Sequence, residues 1–291
     1  MTEPRAARRL LLVHAHPDDE SLMTGGTIAH YLAAGVEVVV VTFTLGEEGE
    51  VIGERWALLV ADGGADQLGG FRIGELAAAL AALSPDQAAP LAPRFLGGAG
   101  RWRDSGMAGS PSAQHPRALV GAPHDDLVDA LLVELAALDP QVVVTYDEAG
   151  TYGHPDHRRV HEVCAAAVAR YTDKTGHPIK VYESVTQRSA LEAGLAAAAG
   201  RVPPGWRMPG PGELPSYPDE EITAAIDVSD VLDRKVAALA AHATQVTVAP
   251  SGTEYALSNN ILAPVGPVEH YRRVDAGASR AHHETDLFEG V

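Results

Sequence analysis

The sequence predicts an α/β protein with a Rossmann-like, doubly wound and mostly parallel sheet, followed by a smaller C-terminal α+β portion. In the first half, apolar runs of strand length alternate with segments of helical periodicity, which is the pattern of βαβ units. These runs are rich in β-branched residues, as expected of strands buried on both faces. After about residue 178 the alternation loosens. We therefore expect a catalytic core at 1–177 and a portion at 178–291 that caps the sheet and shapes a substrate pocket.

The elements of the core follow from these patterns in order. The first strand is predicted at 9–15, and a helix from Thr24 to Ala34 follows it, with Thr24 as N-cap and Gly35 as its end. The later core elements are a strand at 36–44, a glycine-interrupted helical region at 55–83, a short strand at 94–96, a helix at 125–138, a strand at 141–146 and a helix at 158–171. Beyond them we predict strands at 179–185 and 222–228 and a helix near 231–243.

Composition excludes several kinds of partner and site. The formal net charge is -17, and such a surface repels nucleic-acid phosphate and anionic membranes, so neither is an expected partner. Cys164 is the only cysteine, which excludes internal disulfides and thiolate zinc sites. The apolar run from Leu10 to Val13 is too short for a signal peptide or a membrane span. The cytoplasm is therefore the expected location.

Two clusters of His and Asp follow predicted strands. H-A-H-P-D-D-E at 14–20 ends the first strand, and Y-D-E-A-G-T-Y-G-H-P-D-H at 146–157 ends the fourth. In a doubly wound strand order of 3-2-1-4-5 these two strands are neighbours, and ligands bind at the carboxyl ends of such strands. We therefore expect both clusters to face one crevice. The first loop lacks the glycine pattern of a dinucleotide site.

The residue types in these clusters indicate a metal. Two imidazoles and one carboxylate form a common catalytic zinc set, and His16, Asp19 and His157 supply it, for one zinc ion per chain. Fe²⁺ fits the same ligands. Asp18 then lies beside the metal as a candidate general base, and His154 can supply charge or a proton to the reaction. Taken singly, the first cluster is also compatible with helix capping and the second with a turn stiffened by Pro155.

The motifs A-H-P-D-D-E and G-H-P-D-H resemble those of the zinc-dependent amino-sugar N-deacetylases, the LmbE/PIG-L-like superfamily. Further stretches resemble more closely the group within it that deacetylates N-acetylglucosaminyl-inositol in mycothiol biosynthesis. These stretches are T-L-G-E-E-G-E-V-I-G-E-R-W (44–56), D-Q-L-G-G-F-R-I-G-E-L (66–76), G-G-A-G-R-W-R-D-S-G-M-A-G (97–109) and A-L-S-N-N (256–260). The G-R-W-R-D-S-G-M loop is the most specific of them.

The resemblance implies roles for individual residues. It makes His16, Asp19 and His157 the metal ligands and Asp18 the base. The other implied roles are His154 as general acid or oxyanion stabiliser, Asp156 as the residue that orients it, Tyr152 as a mobile hydroxyl donor to the oxyanion, and Arg72, Asp104 and Glu50 as contacts for sugar or inositol hydroxyls. One position departs from the pattern, because Thr151 stands where a glycine is expected. If that position needs a positive φ, the loop is strained or differs.

The resemblance therefore implies zinc-dependent hydrolysis of the acetamide of N-acetylglucosaminyl-inositol, with release of acetate. Three alternatives stay open at this point: a mycothiol S-conjugate amidase that shares the metal motif, a zinc-containing carbohydrate-binding protein without catalysis, and a metal-dependent phosphoesterase. The G-R-W-R-D-S-G-M stretch favours the deacetylase over the amidase. The presence of Asp18 disfavours the non-catalytic protein, and the acidic loops disfavour a phosphate ligand.

Overall fold

The computed structural model describes residues 7–274 and 283–291 and contains a six-stranded central sheet. Its strands are β1 (Arg9–His14), β2 (Glu37–Thr42), β3 (Val142–Thr145), β4 (Lys180–Val185), β5 (Ala224–Asp227) and β9 (Val268–Arg273). A second, small sheet consists of β6 (Thr247–Val248), β7 (Glu254–Ala256) and β8 (Ala263–Pro264). The helices are α1 (Asp19–Ala33), α2 (Leu68–Leu83), α3 (His124–Leu138), α4 (Pro155–Thr175), α5 (Arg188–Ala198) and α6 (Leu232–Ala241).

The order of the central sheet is β2-β1-β3-β4-β9-β5. The first four strands are parallel, and β9 runs antiparallel between β4 and β5. Phe95, from the predicted short third strand, forms a single parallel bridge to Thr42 on the outer side of β2. The predicted α/β class with a mostly parallel sheet is therefore confirmed. The predicted adjacency of the first strand and the strand near residue 142 is also confirmed.

The central strand β1 is buried on both faces, as its continuous apolar sequence predicts. Leu10 and Leu12 belong to the core cluster that also contains residues of α1, α2 and α6. Leu11 and Val13 point to the opposite face and pack in the cluster formed with α3 and α4. This two-sided burial fixes the register, since a slip of one residue would exchange the two faces. Leu12 pairs with Val144, so the loops after β1 and β3 leave the sheet side by side.

Several boundaries differ from the predicted ones. The first helix begins at Asp19 instead of Thr24, because the chain turns sharply at Asp18 (φ 118°) directly after the strand and its loop. The helix predicted from Arg158 begins at Pro155, where proline suits the first turn and the His154 ring accepts the Asp156 N–H. The predicted helical region at 55–83 is divided into a 3-10 helix at Glu54–Leu59 and α2.

The C-terminal portion contributes more to the sheet than predicted. Helix α5, strand β9 and the small sheet are additional elements, and β4, β9 and β5 extend the same sheet as β1. The division into 1–177 and 178–291 stays a prediction, since strands from both sides of it share hydrogen bonds. Across residues 7–274 and 283–291, none of the helices has the length and apolar character needed to span a membrane.

Two helical glycines, one packed against the residue after β5 and one open to solvent, are expected to respond oppositely to substitution by alanine. The quantity compared is the free energy of unfolding. A Cβ on Gly26 would meet the Cβ of Val228 at 2.7 Å, so Gly26→Ala should lower the free energy of unfolding by about 1–3 kcal/mol through overpacking. A Cβ on exposed Gly74 in α2 meets nothing within 4 Å, so Gly74→Ala should raise it by about 0.5–1 kcal/mol. Urea unfolding of both variants measures the two shifts. Equal shifts of the same sign would contradict the packing described here.

Candidate metal and catalytic site

The predicted metal ligands converge at the carboxyl edge of the sheet. His16 lies in the loop after β1, Asp19 is the first residue of α1, and His157 lies in the first turn of α4. All three side chains are buried, with relative exposures of 5%, 5% and 1%. They converge because β1 and β3 are adjacent and parallel, which brings the loop and the helix that follow them to one edge.

The donor atoms of these residues are spaced as zinc ligands are. His16 Nδ1 lies 3.3 Å from Asp19 Oδ2, and His157 Nε2 lies 3.4 Å from Asp19 Oδ1. The two ring nitrogens, His16 Nδ1 and His157 Nε2, are 3.3 Å apart. Ligands held tetrahedrally at the usual zinc distances are about 3.3–3.4 Å from one another. The donor chemistry therefore fits a zinc ion, and each pairwise separation is of the right size, with the two histidines facing different oxygens of Asp19.

His16 presents its two ring nitrogens to different partners. Nδ1 faces Asp19 and His157, whereas Nε2 lies 3.3 Å from Asp156 Oδ2 and 3.5 Å from Asp104 Oδ1. Burial alone would lower the pKa of His16, but these carboxylates raise it well above the usual value. With a hydrogen on Nε2 held by the carboxylates, Nδ1 is left as the nitrogen that can bind a metal.

Other donor groupings overlap with this one. The rings of His16, His154 and His157 bring nitrogens within 4.8 Å of one another, and so do His16, Asp104 and Asp156 with one donor atom each. All of these groups are buried. His16 belongs to every grouping, which makes it the centre of the acidic and imidazole-rich cluster.

Asp18 stands in a strained conformation beside the cluster. Its φ of 118° and ψ of -31° lie outside the regions that side-chain-bearing residues favour, and such strain is concentrated at functional sites. The Asp18 N–H donates to Glu20 Oε2 at 2.9 Å, and the carboxylate contacts Arg72 at 3.0 Å. Burial raises the pKa of Asp18 to about 6, although the Arg72 charge opposes this shift.

The guanidinium of Arg72 is buried against oxygen atoms of the protein. Arg72 is 2% exposed and donates to the carbonyl oxygens of Pro17 and Gly46 in addition to its contact with Asp18. The planar guanidinium has enough donors to bind all of these oxygens. In this structure the guanidinium holds Asp18, and the predicted contact of Arg72 with sugar hydroxyls stays a prediction.

A buried acid–histidine pair supports the same loop. His242, just after α6, lies 2.7 Å from Glu20 Oε1, and both side chains are fully buried. The other Glu20 oxygen accepts the Asp18 N–H. Sequence patterns did not single out His242, because its partner lies 222 residues away.

Asp156 contacts a different histidine from the predicted one. Its Oδ2 accepts the Ser105 N–H at 2.9 Å and lies near His16 Nε2, so the carboxylate orients His16. Its link to His154 is through the backbone, since the Asp156 N–H donates to His154 Nδ1 at 3.2 Å. The Nδ1 lone pair is thereby used, and the hydrogen of a neutral His154 ring is on Nε2. Burial, followed by the neighbouring His16 and His157, lowers the pKa of His154 to about 3.

Tyr152 lies at the mouth of the cluster, with 53% of its surface exposed. Its ring stands edge-on to His157 and His154, at centroid distances of 5.4 and 6.0 Å. The preceding Thr151 has φ 62°, so the position does require the left-handed conformation that glycine favours. Asp147 holds the loop by accepting the Thr151 N–H at 2.6 Å and the Tyr217 hydroxyl at 2.5 Å.

The two remaining predicted substrate contacts lie in different environments. Asp104 is 4% exposed, accepts the Gly106 N–H and approaches His16, so it is part of the buried cluster. Glu50 is exposed and accepts a hydrogen bond of 2.7 Å from Ser258, in the A-L-S-N-N stretch. Glu50 therefore brings two of the motifs that carry the family resemblance into contact.

Comparison with known proteins shows the family to which this chain belongs. Residues 11–168 match the family model described as PIG-L, GlcNAc-PI de-N-acetylase. The chain belongs to the PIG-L family. It is 71% identical over 282 residues to the 1D-myo-inositol 2-acetamido-2-deoxy-alpha-D-glucopyranoside deacetylase of Gordonia bronchialis, covering 97% of this chain and 100% of that protein. The identically named protein of Rhodococcus jostii is 58% identical, with 98% of both chains covered.

Solved structures support the PIG-L fold. The N,N'-diacetylchitobiose deacetylase from Pyrococcus horikoshii superposes with a TM-score of 0.52 at 19% identity, covering 81% of this chain and 70% of that one. GalB, the 4-carboxy-2-hydroxymuconate hydratase of Pseudomonas putida, superposes with a TM-score of 0.54 at 19% identity, covering 92% and 96%. Since a deacetylase and a hydratase share the fold, the chemistry has to be argued from the site.

Tyr146 is a further residue of the site that sequence patterns did not single out. It ends the apolar run of β3 and is fully buried, with its hydroxyl on Asp19 and its ring on His157. A signal was available, because Tyr146 is a polar-tipped side chain at the carboxyl end of a strand next to the metal loop.

Thr151 generates a prediction about stability. Its left-handed φ is costly for a β-branched residue, and its buried hydroxyl finds no hydrogen-bond partner within the part of the chain that the structure describes. Thr151→Gly should raise the free energy of unfolding by about 0.5–1 kcal/mol, since relief of strain exceeds the extra entropy of unfolded glycine. Urea unfolding measures the change, with Thr151→Ala as the control that removes the hydroxyl and the γ-methyl but keeps the Cβ in the left-handed conformation. A lower stability for the glycine variant than for the alanine variant would contradict the strain.

Proposed function

We propose that this chain is a zinc-dependent deacetylase that hydrolyses the acetamide of 1D-myo-inositol 2-acetamido-2-deoxy-alpha-D-glucopyranoside and releases acetate. The observation that carries the proposal is the buried His16–Asp19–His157 cluster with Asp18 beside it. The substrate is inferred from two curated relatives that carry the name of that deacetylase. This chain aligns with nearly the whole length of both. The cytoplasm as the place of this reaction stays a prediction.

The proposed ligands are His16 through Nδ1, Asp19, and His157 through Nε2. Zinc bound there supplies Lewis-acid chemistry, polarising the acetyl carbonyl and making water a nucleophile at neutral pH. Fe²⁺ is compatible with the same nitrogen and oxygen donors. The donor spacing supports a metal of this size, and the surrounding carboxylates favour a cation.

Asp18 is proposed to move the proton. Its carboxylate accepts a proton from the attacking water, and the same group can return that proton to the departing amine nitrogen. The water then contributes its oxygen to acetate, and the amine leaves neutral. Arg72 and Glu20 support this role, since they hold the carboxylate and the backbone of Asp18 in one orientation.

Tyr152 and His154 are proposed to stabilise the oxyanion that forms at the acetyl carbonyl. The neutral His154 ring can donate its Nε2–H, because Nδ1 is engaged by the Asp156 backbone. The alternative role of His154 as general acid requires a second hydrogen on Nδ1, which would displace that contact. The exposed Tyr152 is free to approach from the mouth of the site.

Recognition of the sugar and inositol is proposed for Glu50 and Asp104. Glu50 is exposed, so its carboxylate can accept hydrogen bonds from ligand hydroxyls while it stays near Ser258. Asp104 is buried against His16 and can reach only a group that enters the cluster. Arg72 is proposed to act on the reaction through Asp18.

The test is acetate release from the acetylated glucosaminyl-inositol before and after removal of metal. We expect chelation to abolish release and added Zn²⁺ to restore it. Asp18→Asn should bind zinc as tightly as the unchanged chain but release acetate at least about 100-fold more slowly, because it cannot accept the proton. Asp62→Asn, at an exposed position, serves as the matched control and should leave turnover unchanged.

Three results would overturn the proposal. Zinc and sugar binding without acetate release would indicate a carbohydrate-binding protein. Faster turnover of a mycothiol S-conjugate would indicate the amidase. Full activity of Asp18→Asn would remove Asp18 from its role as base.

A further inference from the structure

The Tyr146 hydroxyl lies between the two strand-end loops of the site. It accepts the Ala15 N–H at 2.6 Å and donates to Asp19 Oδ2 at 2.6 Å. The side chain is fully buried, so water does not compete for either hydrogen bond. One hydroxyl therefore connects the end of β3 with the backbone before His16 and with the carboxylate of Asp19.

The ring of the same residue contacts another proposed ligand. It stacks on the His157 imidazole with a centroid distance of 4.1 Å and an interplanar angle of 12°. The stacked Tyr146 ring restricts rotation of the His157 side chain. Tyr146 thus contacts two proposed ligands from the first turns of different helices, α1 and α4, through two different parts of its side chain.

From this geometry we propose that Tyr146 is a positioning residue for the metal site. Its hydroxyl determines which oxygen of Asp19 is available. Oδ2 accepts hydrogen bonds from Tyr146 and from the His16 N–H at 2.9 Å, which leaves Oδ1, next to His157 Nε2, as the less engaged oxygen. The inference rests on the proposed function in that it requires a metal at these ligands.

The expected effect is on the affinity for zinc. Groups that hydrogen-bond a metal ligand typically change metal affinity by about 10–100-fold when they are removed. Tyr146→Phe keeps the ring and its stack on His157 but leaves Asp19 Oδ2 with one hydrogen bond fewer. The zinc dissociation constant, measured by competition with a chromophoric chelator, should rise about 10–100-fold.

The chain offers a matched control in Tyr31. Its hydroxyl also accepts a backbone N–H, from Leu287 at 2.6 Å, and also donates to a carboxylate, Asp286 Oδ1 at 3.0 Å. Tyr31→Phe therefore removes the same two kinds of hydrogen bond, but from the α1 contact with the C-terminal segment. It should lower stability without changing the zinc dissociation constant.

A second readout separates positioning from a loss of structure. Saturating Co²⁺ gives a visible absorption spectrum that depends on ligand geometry, and this spectrum should change in Tyr146→Phe and stay unchanged in Tyr31→Phe. Zinc affinity and cobalt spectrum both equal to those of the unchanged chain in Tyr146→Phe would overturn the inference. So would equal losses of zinc affinity in the two variants. Failure of the proposed function is distinguishable, because the unchanged chain itself would then not bind zinc or release acetate.

Discussion

The buried carboxylate of Asp19 is the group on which the rest of the site depends. It is 5% exposed, and a buried charge is costly unless neighbouring groups compensate it. The compensation comes from the His16 backbone, the Tyr146 hydroxyl and the rings of His16 and His157. These partners come from two loops that meet only because β1 and β3 are adjacent. The charge on one side chain thus links the topology of the sheet to the chemistry of the site.

The strain at Asp18 shows how distant elements support that chemistry. Arg72 from α2 holds its carboxylate, and Glu20 holds its backbone N–H. Glu20 is in turn fixed by His242 after α6, which belongs to the C-terminal portion. A residue in an unfavourable conformation persists only where its surroundings determine it in several ways. The C-terminal portion therefore supports the orientation of Asp18 from behind the site.

The sequence was sufficient for the sheet order near the site and for the residues that meet there. Both follow from local signals, namely continuous apolar strands and His/Asp clusters at their ends. The partners of Arg72, Asp156 and His242 were not predictable, because they depend on contacts between residues far apart in the chain. Strand β9 was missed for another reason: V-E-H-Y-R-R has few apolar residues and lies antiparallel among parallel strands. The early start of α1 depends on the unusual φ of Asp18, which pattern reasoning does not give.

His16, Asp19 and His157 are proposed to hold one zinc ion. A crystal structure of the zinc-loaded protein, with anomalous data collected at the zinc absorption edge, tests it most directly. One strong anomalous peak is expected within about 2.0–2.2 Å of His16 Nδ1, His157 Nε2 and an oxygen of Asp19. A peak bound by Asp104 and Asp156 at His16 Nε2, or no peak at these residues, would contradict it.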